Sequence, residues 1–99
     1  MTPNPVDAAL QNLTQRDRNG IRIMSRGRFD PVHSWLFHRV TSDRSQAFSC
    51  VGWQCGEVAD ALQRLGLRCK ATTQPRIKAV FQALIDVMLA DLQDRRVIE

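Results

Sequence analysis

Pro75-Arg76-Ile77-Lys78-Ala79-Val80-Phe81-Gln82-Ala83-Leu84-Ile85-Asp86-Val87-Met88-Leu89-Ala90-Asp91-Leu92 is the stretch that decides the fold. Proline fits the first helical position, where its missing N–H would have no intrahelical partner, and Thr72 or Thr73 stands ready as a cap. The spacing predicts a helix over 75–97. Its apolar residues, Ile77, Val80, Phe81, Leu84, Ile85, Val87, Met88, Leu89 and Leu92, spread over roughly 200° of the helix circumference. A surface helix needs a stripe of only about 100°. Two sides therefore call for burial, with Ala79, Ala83 and Ala90 as a small-residue seam on what remains. In a chain of 99 residues, one side is expected to meet the domain core. The other side, with Val87 and Leu89, is expected to meet a second copy or another protein.

The segment before it reads as a second helix over 44–65. At about 100° per residue, Ala47, Val51, Val58, Leu62 and Leu65 share one narrow stripe, with Cys55 beside it. Asp43 or Ser42 caps the start and Gly66 stops it. Ser45, Ser49, Gly52, Gly56, Asp60 and Gln63 lie opposite, with Trp53 among them. Glycine inside a helix costs about 0.8–1.0 kcal/mol, so Gly52 and Gly56 need a reason. Close approach of a partner's backbone over Ser49, Gly52 and Gly56 is one. A break of the helix near Gly52 is the other. Leu67–Ala71 then reads as a connector, in part extended.

Towards the N-terminus, Asn4-Pro5 is a cap followed by proline. Val6, Leu10 and Leu13 follow at helical spacing, and Asn19-Gly20 supplies a stop. Ile21 and Ile23 alternate with Arg22, which suits a short strand, and Arg26-Gly27-Arg28 reads as a turn. Asp30-Pro31 opens a helix with Val32, Trp35, Leu36 and Val40 on one side. The β-formers of Trp35-Leu36-Phe37-His38-Arg39-Val40-Thr41 also suit a strand; the specific Asp-Pro start favours helix. The expectation is one small, mainly α domain over 1–99: a bundle of three to four helices, with room for a short β-strand pair within 21–41.

Charge is uneven. The net charge is +4. Residues 16–44 hold seven arginines against three aspartates, and 64–78 hold Arg64, Arg68, Lys70, Arg76 and Lys78 with no acid. Such segments attract phosphate or an acidic protein surface, or simply keep a basic protein solvated. The start, Met1-Thr2-Pro3-Asn4-Pro5, has neither a basic region nor an apolar run, so no signal peptide is expected. Asp86 and Asp91 interrupt the best candidate for a membrane span. Three cysteines, Cys50, Cys55 and Cys69, fit free thiols in a reducing cytoplasm. A domain this small without disulfide staples gains from a dimer or partner.

No composed catalytic site appears. His33 with His38, and Cys50 with Cys55, are both i, i+5, about 140° apart on a helix, which is poor spacing for zinc ligands. Buried free cysteines are the better reading. Gly52 and Gly56 lack the following lysine of a phosphate loop. No metal, cofactor or catalytic residue is expected. Two functions fit. In the first, a homodimeric cytoplasmic adaptor, inhibitor or anti-activator binds and occludes another protein. Its partner surface is Trp53 with Ser49, Gly52 and Gly56, extended by Phe29 and Trp35, and by Val87 and Leu89 on the last helix. In the alternative, a small DNA-binding regulator uses a helix-turn-helix-like segment at 57–83. Arg64, Arg68, Lys70, Gln74, Arg76 and Lys78 then face nucleic acid. The long gap from Leu67 to Gln74 and the apolar second helix count against it.

Overall fold

The computed structural model describes residues 4–27, 30–42 and 47–98. Among the described residues it has five helices and no strand: α1 (Pro5–Gln11), α2 (Gln15–Ser25), α3 (Pro31–Ser42), α4 (Cys55–Ala71) and α5 (Pro75–Ile98). The Cα radius of gyration is 13.2 Å, the value of a close-packed chain of this length.

α5 is the central element. α4 and α1 pack on it extensively and α2 touches it over a smaller area, while α2 and α3 pack on each other. Ile77, Val80, Phe81, Ala83, Leu84 and Met88 are buried, and Ile85, Val87 and Leu92 are half-buried against the same core. The wide apolar stripe thus has an internal explanation. Both of its sides are covered by other helices of the same chain, and of its large residues only Leu89, at 45% exposure, faces mostly outward.

Three proline starts form as their residues predict. Asn4 Oδ1 accepts from Val6 N at 2.9 Å to open α1. Asp30 Oδ1 accepts from Val32 N at 2.8 Å to open α3, so 31–42 is helix throughout. Pro75 opens α5, with Gln74 rather than a threonine supplying the first carbonyl, to Lys78 N at 2.9 Å. Thr72 instead closes α4, its hydroxyl donating to Arg68 O at 2.8 Å.

Other boundaries differ from the expectation, each for a local reason. α1 ends at Gln11, because Thr14 and Asp17 form a reciprocal capping box that starts a new helix. Asp17 N donates to Thr14 Oγ1 and Thr14 N to Asp17 Oδ2, both at 3.1 Å. This splits the first segment in two and raises the helix count from the expected three or four to five. α2 runs through Gly20, and the Ile21–Ile23 strand is absent: Ile21 is buried on a helix and Ile23 exposed on it. The turn at Arg26-Gly27 does form, with Gly27 at φ 75°, a conformation that favours glycine.

The helix expected over 44–65 breaks as the Gly52 alternative has it. Residues 47–54 are irregular, Gly52 has φ 88°, and α4 begins only at Cys55. Of the two expected caps, Ser42 ends α3 instead, and Asp43, like Ser45 on the opposite face, lies outside the described residues. At its other end α4 runs through Gly66 to Ala71. Leu67–Ala71 is therefore helix rather than connector, because Cys69 buries itself against α5, its thiol 3.9 Å from Lys78 O.

One ion pair ties the start of α5 to the start of α2. Arg76 Nε lies 2.6 Å from Asp17 Oδ2. This guanidinium, with the Thr14 backbone N–H, holds the Asp17 carboxyl down to about 2 from an ordinary 3.8. The carboxyl ionises more readily folded than unfolded, so its ionisation favours the fold. That contribution is complete above about pH 4 and disappears as pH falls through about 2. Asp17→Asn is expected to lower the urea midpoint at pH 5, with the deficit shrinking towards pH 2. A deficit constant across that window would remove Asp17 as the titrating group.

Candidate functional site: an anchored turn and a basic cleft

The residues singled out around Trp53 do come together, but on an irregular segment rather than on a helix face. Phe48 is buried, with Trp35 of α3 on one side at a ring-centroid distance of 5.3 Å and Trp53 on the other at 6.0 Å. Both contacts are edge-to-face, at 70° and 85°. This geometry suits the ring quadrupoles and adds about 0.5–1.5 kcal/mol per pair beyond area burial. Trp53 is half-buried in this stack.

Between Phe48 and Trp53 the chain makes a tight turn. Trp53 N donates to Cys50 O at 3.0 Å, with Gly52 at the third position. Its φ of 88° is the one a type II turn requires there. The turn is anchored from α5. Arg95 Nη2 donates to Cys50 O at 2.8 Å, Nη1 donates to Trp53 O, and Nε faces Asp91 Oδ2 at 2.7 Å. One guanidinium therefore satisfies two loop carbonyls while its charge is balanced by a residue one helical turn away. Val51 at the tip is 86% exposed, more than any other large apolar residue described.

Ser49 and Gly52 lie exposed on this segment, and Gly56, the second residue of α4, is exposed with open space at its Cα. Val87 sits one helical turn before Asp91 and is half-buried against the core. Leu89 points to a different side of α5 and does not join the cluster. Phe29 lies outside the described residues. No sequence rule pointed to Arg95; its contacts are 42 and 45 residues away.

A second feature lies between the α2–α3 junction and α4. A cleft of about 830 Å³ is walled by Arg64, Leu67, Arg68 and Ala71 on α4, with Arg26, Asp30 and His33 opposite. Arg64 bridges it, 3.3 Å from Asp30 Oδ2 and 3.0 Å from Asp60 Oδ2. Of the residues assigned to nucleic acid, Arg64 and Arg68 thus belong to this cleft. Arg76 is paired with Asp17, and Lys70, Gln74 and Lys78 are exposed near the α4–α5 connection.

The three cysteines are free thiols. Burial, and then the Asp91 carboxylate, push the Cys50 thiol up, so it stays protonated at neutral pH. Cys55 and Cys69 stand at opposite ends of α4, separated by about 21 Å along a helix that rises 1.5 Å per residue. They cannot share a metal. The described residues include no group of three or more His, Cys, Asp or Glu placed to hold one. Among those residues no helix is long and apolar enough to cross a membrane. No protein-family model, no curated protein and no solved structure matches this chain.

Proposed function

We propose that this chain is a small non-enzymatic regulatory protein that binds another protein and occludes a surface the target needs, as an adaptor, inhibitor or anti-activator does. The observation that carries the proposal is the exposed Val51 on a turn that Arg95 and the Trp35–Phe48–Trp53 stack hold in place. An apolar tip already fixed in its bound conformation loses little entropy on docking. Ser49, Gly52 and Gly56 around it leave room for a partner's backbone, and half-buried Trp53 supplies the residue type enriched at binding hot spots. The basic segments favour a partner with an acidic surface. A second copy of the chain is one partner this turn accommodates, which makes a homodimer part of the proposal. The cytoplasm is the compartment that keeps its three thiols reduced.

The test compares the wild-type chain with Val51→Asp. Sedimentation velocity reads self-association, and affinity capture followed by titration reads any protein retained. A central contact of this kind is worth about thirtyfold in affinity or more. Val51→Asp should lose that factor while its far-UV circular dichroism stays helical, because Val51 is outside every helix. Trp53→Ala is expected to act the same way. Equal self-association and equal capture by wild type and Val51→Asp would remove the turn as the docking element.

One observation favours the DNA-binding alternative. α4 and α5 are joined by only three residues, 72–74, the connection length a helix-turn-helix uses. Against it, Ile77, Val80 and Phe81 bury the start of α5 in the core, and Arg76 is held by Asp17. A duplex titrated at about 50 and about 200 mM salt decides. Phosphate-driven binding through six or more contacts loses roughly a thousandfold over that range. Arg68→Ala with Lys70→Ala should then reduce the salt slope by about two.

A further inference from the structure

The basic cleft plays no part in the docking turn, and its electrostatics point to a ligand of its own. Its volume of about 830 Å³ falls in the range of about 300–1,000 Å³ typical of small-molecule sites. Arg64 is already compensated by Asp30 and Asp60. The guanidinium groups of Arg26 and Arg68, from opposite walls, make no ion pair or hydrogen bond to any other group among the described residues. Two uncompensated guanidinium groups therefore line one open, solvent-accessible cleft. Each presents planar paired donors suited to phosphate or carboxylate oxygens.

The charge selects between those anions. Two positive charges are matched by a single phosphate monoester, which carries about −1.5 to −2 at pH 7 with three strong acceptor oxygens. The cleft is much larger than a phosphoryl group. The α4 wall beside Arg68 offers Leu67, an apolar side chain 66% exposed. The opposite wall carries the buried Asp30, whose Oδ1 caps α3 and whose Oδ2 accepts from Arg64. A carboxylate there disfavours a second anionic group, so a ligand charged at one end fits better than one charged at both. We infer that the cleft binds a phosphate monoester of a small organic molecule, its phosphoryl oxygens held between Arg26 and Arg68 and its apolar body on Leu67.

The probe is phenyl phosphate, with inorganic phosphate and phenol as its two halves, titrated into the full chain by isothermal calorimetry at low salt. Phenyl phosphate is expected to bind at least tenfold more tightly than either half. Loss of one charge-assisted contact should weaken it about tenfold or more, in Arg26→Gln and in Arg68→Gln alike. Lys70→Gln, which removes an exposed charge outside the cleft, should leave it unchanged. In the wild-type chain the side-chain Nε–Hε resonances of Arg26 and Arg68 should shift on titration, a readout independent of how the variants fold. Phenyl phosphate binding no better than inorganic phosphate, unmoved arginine resonances, or an equal loss in Lys70→Gln would each overturn the inference. The last result would make the attraction a diffuse surface field.

Discussion

Phe81→Ala is expected to cost about 3–5 kcal/mol, the usual penalty for emptying a buried phenylalanine site. Phe81 is fully buried two turns into α5, in the core shared by all the helices that pack on it. Small domains have only about 5–15 kcal/mol in total, so the variant should unfold at a much lower urea concentration, or be partly unfolded in buffer. The informative partner is Leu89→Ala. Leu89 belongs to the same apolar stripe but is 45% exposed. Its truncation is expected to change stability by less than about 1 kcal/mol, as surface substitutions usually do. Urea titrations of both variants test whether the wide stripe is consumed within one chain. Equal losses would mean that the outer side of α5 is buried too, against a second copy, and the chain's stability would then depend on its concentration.

Arg95→Met is the second large effect, and it bears on function. Methionine retains much of the apolar stem of arginine while removing the three contacts to Cys50 O, Trp53 O and Asp91. Trp53 O loses its donor, Cys50 O keeps only the Trp53 N–H, and the Asp91 carboxylate loses its cation. α5 itself needs none of these contacts, so the helical far-UV signal should persist. The turn should open instead. Hydrogen exchange at the Trp53 amide, which closes the turn onto Cys50 O, is expected to accelerate at least tenfold. Alkylation of the buried Cys50 by a maleimide should speed up with it, read by mass spectrometry against exposed Cys55. Partner binding should weaken as the apolar tip loses its fixed conformation. Unchanged exchange and unchanged Cys50 labelling would show that the aromatic stack alone holds the turn.

How far the residues could be read follows from the range of the forces involved. Asn4-Pro5, Asp30-Pro31 and Pro75 mark helix starts correctly because a cap and a proline act on their own few residues. Thr14-Gln15-Arg16-Asp17 carried an equally local signal, a threonine with an acid three residues on, and reading it would have placed the break before α2. Gly20 and Gly66, expected to stop helices, lie inside α2 and α4 for a different reason. A glycine costs about 1 kcal/mol in a helix, less than the burial of Ile21 or Cys69 beyond it provides. Gly52 did break the chain, because no equivalent burial holds 47–51 in a helical path; Phe48 and Cys50 bury themselves from an irregular one.

The candidate sites divide in the same way. Trp35, Ser49, Gly52, Trp53 and Gly56 were recognisable as unusual residue types, and they do gather around one turn. What gathers them was not recognisable, since the supporting contacts are edge-to-face rings and a guanidinium from the far end of the chain. The basic residues at 64–78 read as one cluster only because they are neighbours in sequence. Folding sends Arg64 and Arg68 to the cleft and Arg76 to Asp17, 59 residues away, and leaves Lys70 and Lys78 in solvent.

The residues alone determined a mainly α chain, the starts of α1, α3 and α5, and a last helix with more apolar surface than one face can hold. Helical periodicity and capping are short-range, so a single strand of sequence contains them. Tertiary structure decided which partner covers that surface, where α2 ends, where α4 begins and ends, and how the 47–54 segment and the cleft are built. Those depend on the pairing of groups 34 to 59 residues apart, as in Arg64 with Asp30, Arg95 with Trp53 and Arg76 with Asp17. Their energies appear only once packing has brought the groups within a few ångströms of each other.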